Sequence, residues 1–267
     1  GTAGTIMANK LHEHLPHDEW QITIVDKDET HIYQPGLLFI PFDIYTCNDV
    51  VKPRRDYIPK DVETIVSGIE LIEPEQNRVK LENNKVLNYD YLIIATGSQI
   101  KPDETEGLEG GWYKNIFDFY TMEGACQLQK FLKHWQGGKL ALNIVEMPIK
   151  CPVAPLEFLF LADWWFTEKN MRDKVDLTLV TPLPGAFTKP KAAEIFGNFL
   201  DKKGINLVTE FNTDSVDTSE NQLVSFDDKK VDYDLLVTVP TNMGDDVIEL
   251  SGLGDELNFI PTHKHTL

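Results

Sequence analysis

The chain has 267 residues, 42% hydrophobic and 25% charged, enough for one to three domains with real cores. Its formal net charge of −18 argues against non-specific nucleic-acid binding through a basic patch and disfavours electrostatic attachment to an anionic membrane. No apolar run approaches the roughly 18 residues of a membrane-spanning helix; the longest, Leu156–Phe166, is broken by Asp163.

Three cysteines, Cys47, Cys126 and Cys151, are too few for a disulfide scaffold, and without CxxC spacing they suggest no zinc site. No signal-peptide pattern opens the sequence. Instead it begins on Gly1-Thr2-Ala3-Gly4, the second half of a GxGxxG loop, and ends as abruptly on Thr266-Leu267. The expectation is a longer protein.

In chain order, Ile6, Met7, Leu11 and Leu15 carry the 3.6-residue spacing of a helix over 5–15. His12, His14 and His17 fall at its polar end and read as a solvated surface, not a metal site. A strand over 21–25 follows and ends at Asp26, 22 residues after Gly4. Glycines, helix, strand and an acid about 20 residues on are the dinucleotide fingerprint, with the acid placed for ribose hydroxyls. Between His31 and Phe42, prolines and a glycine rule out a regular helix or central strand. Cys47 follows this apolar loop and reads as buried or near a cofactor. A strand pair is predicted at 64–69 with 70–72, then a strand at 78–81 and a turn at 82–85. Tyr89–Ser98 predicts a strand ending in Ala-Thr-Gly, a small residue and a backbone donor at the sheet edge where α/β ligands bind.

The sequence therefore predicts an α/β fold with two Rossmann-like dinucleotide-binding domains of the FAD/NAD-linked disulfide-reductase type. The first FAD-binding part is expected over 1–110, an inserted NAD-like domain over 111–232, and an incomplete return to the FAD-binding domain over 233–267. The insert predicts a helix over 121–135, strands at 140–145 and 175–181, a helix at 191–202, a strand at 205–208 and a hairpin within 215–226. Strand 233–240 closes it. Where the insert's own Gly-rich loop would stand, the chain reads Met147-Pro148-Ile149-Lys150-Cys151-Pro152. That turn cannot cradle a pyrophosphate closely, but it presents a thiol before an apolar helix starting near Val153, with Pro152 at the first helical position. A helix N-terminus and adjacent Lys150 both favour the reactive thiolate. Glu157, between apolar Leu156 and Phe158, is expected to be partly buried, which would favour its protonated form.

The stretches GTAG at 1–4, IVDKDETHIYQPGLLFIPF at 24–42, YLIIATGS at 91–98, KCPVAPLEF at 150–158 and NFIPTHKHTL at 258–267 resemble the sulfide:quinone oxidoreductase family and the related flavoprotein subunit of flavocytochrome c sulfide dehydrogenase. The resemblance implies FAD as cofactor, sulfide as substrate and a membrane quinone as acceptor. It further implies peripheral attachment, through elements beyond this sequence, to a prokaryotic-type cell membrane or an inner organelle membrane, and it allows a homo-oligomer. It places Gly1 and Gly4 at the FAD pyrophosphate, Asp26 at the ribose, Ile69 at the adenine, Thr96 and Gly97 against the flavin, and Pro35 and Gly36 beside the isoalloxazine. Cys151 matches the redox cysteine, and Glu157 an acid that handles protons. No metal is implied. A further cysteine of many members falls at Tyr120, for which Cys126 is a poor stand-in. Histidines of some members are replaced by Gly124 and Lys189, and the second redox cysteine belongs to a segment after Leu267.

The mechanism so implied has sulfide attack a bridge between Cys151 and that second cysteine, with an electron pair then passed to FAD and on to quinone. Rival readings are a flavocytochrome c-type dehydrogenase, a type II NADH:quinone oxidoreductase, which would want glycines at 147–152, and a non-catalytic flavoprotein. His263 and His265 alternate as on a strand, with no third ligand in view. The apolar run Phe158–Phe166 reads as core.

Overall fold

The computed structural model describes residues 1–266, and its chain divides into two units. The first holds Gly1–Ile32, Val51–Gln99 and Met243–Leu267, of which Leu267, the last residue of the closing family-like stretch, lies outside the described residues. The second holds Tyr33–Val50 and Ile100–Asn242, a different partition from breaks at 111 and 232.

The first unit opens with helix α1 (Thr2–His14), capped by Gly1 and stopped where Leu15 turns extended ahead of Pro16. Strand β1 (Thr23–Asp26) follows, then β2 (Thr30–Ile32) and, past the segment given to the other unit, its antiparallel partner β3 (Val51–Pro53). Next come β4 (Glu63–Val66), β5 (Ile69–Glu73), β6 (Arg78–Leu81) and β7 (Val86–Asn88). β4 pairs in parallel with β1, whereas β5, β6 and β7 form a separate antiparallel sheet. The predicted pairing of 64–69 with 70–72 is thus corrected. Backbone donors of 63–66 are taken by β1, and the chain turns at Ser67-Gly68 into another sheet. That sheet buries Ile72, Val79 and Leu81 against Val247 and Ile248.

Tyr89–Ser98 also departs from expectation. Residues 91–97 join no sheet among the described residues, and β8 begins only at Ser98 (Ser98–Lys101). A segment without a flanking strand has no ladder to fix it, and Tyr91 and Ile93 stand 77% and 47% exposed.

In the second unit, β9 (Ile116–Phe117) leads to α2 (Met122–Leu132), then β10 (Gly138–Ile144), α3 (Ala154–Glu168), β11 (Val175–Val180), α4 (Pro190–Lys202) and β12 (Ile205–Val208). A three-stranded antiparallel sheet of β13 (Thr213–Asp217), β14 (Gln222–Ser225) and β15 (Lys230–Asp232) extends the expected hairpin. β16 (Leu235–Val239) returns to the main sheet. The connecting strand β17 (Thr241–Gly244) and helix α5 (Asp246–Leu250) then re-enter the first unit.

The main sheet runs β12-β11-β10-β16-β9, parallel throughout. Its central strands read as near-continuous apolar runs because both faces are covered: Leu140, Ala141, Leu142 and Ile144 of β10 are buried. The exception, Asn143, donates from Nδ2 to Thr213 Oγ1 at 3.0 Å and accepts from Thr238 Oγ1 at 3.4 Å. α3 is apolar on most sides and buries Leu156, Phe158, Leu159, Ala162, Trp165 and Phe166 against the sheet. At about 1.5–3 kcal/mol for each large side chain, this helix dominates the unit's core. No helix of the described residues is long and apolar enough to cross a membrane.

Candidate functional site

In the second unit, β10, β16 and β9 are neighbours, so their carboxyl ends deliver three connections to one edge. These are 145–153 ahead of α3, 240–242 after β16, and 118–121 ahead of α2. This is the edge at which open α/β sheets bind ligands.

The thiol turn lies in the first of them. The Met147–Pro148 peptide is cis, and Lys150 N–H donates to Asn242 Oδ1 at 3.1 Å. Asn242 is itself buried, its Nδ2 donating to Pro240 O at 2.8 Å. The Cys151 carbonyl accepts from Ala154 N–H at 3.2 Å and from the Tyr120 hydroxyl at 3.0 Å. The Cys151 backbone is therefore held from α3 and from the 118–121 connection at once, while its half-buried thiol is free.

Asp118 organises the second connection. Its Oδ1 accepts from Tyr120 N–H at 2.9 Å and Thr121 N–H at 2.6 Å, and its Oδ2 from Thr121 Oγ1 at 3.0 Å. Thr121 in turn caps α2, accepting from Gly124 N–H at 2.9 Å. A side chain at 124 would collide with the Asp118 carboxylate, which is why glycine stands there.

Burial raises the Asp118 carboxyl above its ordinary range, against the opposing pull of the Thr121 and Tyr120 hydrogen bonds. It also raises the Tyr120 hydroxyl, aided by negative charge at Cys151 and Glu157, so Tyr120 stays a neutral donor. Lys150 keeps an exposed surface, yet protein packed around its amine lowers it from the usual lysine range, with Asp118 acting oppositely. The arrangement offers a free thiol on a backbone that the Tyr120 hydroxyl holds in place.

Two expectations at this turn are corrected. Glu157 is exposed, because at 100° per residue its buried neighbours Leu156 and Phe158 leave it on the outer face of α3. And α3 starts at Ala154, so Pro155, not Pro152, occupies the first helical turn while Pro152 lies in the preceding bend.

In the first unit, Gly1 and Gly4 sit at the start of α1. A Cβ on Gly4 would stand 3.7 Å from Ala95 Cβ and 3.9 Å from Ile24 Cδ1, so the helix end packs between β1 and the 95–97 segment. Gly97 has a φ of +80°, where glycine is favoured, and its absent side chain would face open space. Thr96 is exposed. Asp26 ends β1. Its Oδ2 meets Arg54 Nη1 at 2.6 Å, while Oδ1 accepts no hydrogen bond among the described residues. Ser67 N–H donates to Asp26 O at 2.9 Å, so the chain toward Ile69 leaves from the same strand end. A helix N-terminus, a glycine-lined approach and a carboxylate at the end of β1 suit a dinucleotide.

Pro35 and Gly36 belong to the second unit, in a 3₁₀ helix over Gln34–Phe39. Pro35 is exposed; Gly36 is buried, and a Cβ there would press on Val50 Cγ1 at 2.5 Å and Tyr33 Cδ1 at 2.9 Å. Its own loop is thus sufficient reason for that glycine.

The cysteines give the largest correction. Cys47 and Cys126 form a disulfide, with Cα atoms 6.1 Å apart and a sequence separation of 79. Too few cysteines for a scaffold are enough for one crosslink, which leaves Cys151 as the chain's lone free thiol. Sequence reasoning also passed over Asp118 and Asn242 as site residues, and marked Tyr120 only as the place near which a family cysteine falls. The first had a signal in Asp118-x-x-Thr121-x-x-Gly124, a turn feeding a helix cap, but nothing local tied Tyr120 or Asn242 to Cys151.

No family model matches the chain. It is 28% identical over its whole length to a mitochondrial sulfide:quinone oxidoreductase of Dictyostelium discoideum, covering 60% of that protein. A type II NADH:quinone oxidoreductase of Staphylococcus haemolyticus is 26% identical over 50% of this chain and 32% of its own. Among solved structures, the sulfide:quinone oxidoreductase of Aquifex aeolicus superposes with a TM-score of 0.81 at 17% identity, over 96% of this chain and 61% of that one. The chain thus spans about 60% of the length of the curated sulfide:quinone oxidoreductase it matches along its whole length.

The fold is that of the two-domain FAD/NAD-linked disulfide-reductase class, with a thiol turn standing where the second dinucleotide loop would be. Within that fold, the curated relatives that align along the whole chain are named sulfide:quinone oxidoreductases, the family its motifs resemble.

Proposed function

We propose that this chain is the FAD-binding and redox-thiol part of an enzyme that oxidises sulfide to sulfur or polysulfide and delivers the electrons to a quinone at a membrane. The observation that carries the reading is Cys151. It is the free thiol of the chain, on a proline-bounded turn at the carboxyl edge of a parallel sheet, in the place of a glycine-rich loop. Two prolines there oppose the close backbone approach a nicotinamide dinucleotide needs, which disfavours the NADH-dependent alternative.

FAD would be held by Gly1 and Gly4 at the start of α1 and by Asp26 at the ribose, with Ile69, Thr96, Gly97, Pro35 and Gly36 in the roles the resemblance gives them. When bound, FAD supplies a two-electron acceptor. The chain's own residues do the rest. Tyr120 and Ala154 fix the Cys151 carbonyl and so hold the turn that presents the thiol. Glu157, on the exposed face of α3, is open to exchange protons with solvent.

The test is anaerobic, on the full-length protein. Sulfide should bleach the flavin absorbance and drive quinone reduction, and Cys151→Ala should abolish both while leaving FAD bound. Sulfide-driven turnover retained in Cys151→Ala, or bleaching by NADH in place of sulfide, overturns the proposal.

A further inference from the structure

Beyond α1 the chain bends at Pro16, whose carbonyl accepts from Glu19 and Trp20 N–H at 3.2 and 3.1 Å. The bend brings His17 back over the last turn of the helix, its ring centroid 4.2 Å from that of His12. His17 Nε2 lies 2.7 Å from the His12 carbonyl oxygen. A carbonyl only accepts, so Nε2 carries the proton, and in the neutral ring the lone pair is left on Nδ1. Asp61, in the turn ahead of β4, has its Oδ2 3.6 Å from His12 Nε2. That is too long for a hydrogen bond.

A ring nitrogen of each histidine and a carboxylate oxygen of Asp61 all lie within 4.8 Å of one another. A second observation concerns His12 alone: its Nε2 is shielded from solvent and has no hydrogen-bond partner. Buried polar atoms are normally satisfied, and an orphan calls for a missing partner.

We propose that His12, His17 and Asp61 form a binding site for a divalent transition-metal ion of the zinc type. Two imidazoles and one carboxylate suit zinc, whereas calcium and magnesium want all-oxygen shells. Zinc–ligand bonds of about 2.0–2.2 Å need the three atoms drawn closer together. Asp61, with its side chain 76% exposed, and the exposed His17 are free to make that adjustment. The His17 bond to the His12 carbonyl is the outer contact that orients a metal-ligating imidazole and sets its tautomer. Three protein ligands leave a fourth tetrahedral position for water. His14, two residues from His12 on the same helix, is about 200° further round it and is not among the three.

Equilibrium dialysis with Zn²⁺ alone, on a Cys151→Ser background that removes the competing thiol, tests the site. One zinc per chain is expected at pH 7.5, undisturbed by excess Mg²⁺. Affinity should fall more than tenfold in His12→Ala, His17→Ala and Asp61→Ala, and stay unchanged in His14→Ala. Cobalt in place of zinc should give the visible d–d bands of tetrahedral coordination. Asp61 and His17 are exposed, so their variants should keep the parent far-UV circular dichroism. The proposal is overturned if the Cys151→Ser protein binds no zinc, or if His17→Ala and Asp61→Ala bind as His14→Ala does. The latter result would mean that His12 and Asp61 form an ion pair only.

Discussion

Removing the Cys47–Cys126 crosslink should weaken the second unit without disordering it. The disulfide ties the Tyr33–Val50 segment to α2, but that segment is also held by contacts that do not need it. Phe42 is buried with its ring 5.0 Å from Phe158 and 6.4 Å from Trp165. Asp43 Oδ1 accepts from Gln129 Nε2 at 2.9 Å and pairs with Lys133 Nζ at 3.1 Å. What a double Cys47→Ser/Cys126→Ser variant loses is chiefly the restriction on the unfolded chain. For a separation of 79 residues, loop closure sets that at about 4.5 kcal/mol, an upper figure because real unfolded chains retain structure. At about 2–4 °C per kcal/mol for a chain of this size, the melting temperature should fall by between about 9 and 18 °C. Thermal and urea unfolding followed by near-UV circular dichroism would measure it, and the wild-type protein with a phosphine reductant should behave like the variant. A double variant melting within about 2 °C of wild type would mean that the bridge adds no such restriction. So would titration of all three cysteines as free thiols in the native, unreduced protein.

Asp163, on α3, pairs with Arg172 Nε at 2.8 Å and Lys203 Nζ at 2.6 Å with its side chain 13% exposed. Asp163→Asn should cost about 2 kcal/mol in urea titrations at neutral pH, between the surface and fully buried limits for ion pairs. Burial opposes ionisation here, but Lys203 and Arg172 outweigh it and lower the carboxyl from 3.8. Its contribution is therefore present above pH 3.8 and lost as the pH falls through the lower folded value, so the gap between wild type and variant should close in acid. A gap that widens in acid would contradict the assignment. Tyr120→Phe removes the hydroxyl that reaches Cys151 O but leaves the Ala154 N–H on the same carbonyl. Sulfide-driven flavin reduction should slow about tenfold, the equivalent of one ordinary hydrogen bond, with stability changed by less than about 1 kcal/mol. Stopped-flow rates equal to wild type would remove Tyr120 from the site.

At the carboxyl edge of the second unit's sheet, a turn without glycines still places side chains where open α/β sheets bind ligands. Adjacent strands β9, β10 and β16 end together, so any side chains placed just beyond them meet whatever ligand the fold carries. Asp118 spends its oxygens on the cap of α2 and on the backbone of Tyr120, so the donor that meets Cys151 is set by a helix start.

Periodicity along the chain was enough to establish the α/β class, the apolar run of β10, the helical spacing of α1 and α4, and the thiol turn before α3. Such patterns depend on residues a few positions apart, which share a face through backbone geometry alone. The sheet assignment of 63–73 was not legible, because β4 and β5 differ only in which distant strand takes their hydrogen bonds. Nor was the exposure of Glu157, which turns on where α3 starts and which face the core claims. The Cys47–Cys126 bridge, the reach of Tyr120 to Cys151 across 31 positions and the meeting of His12 with Asp61 each join residues with no local signal between them. Only parallel strands ending side by side, and a helix folded back onto its own sheet, bring those groups within reach.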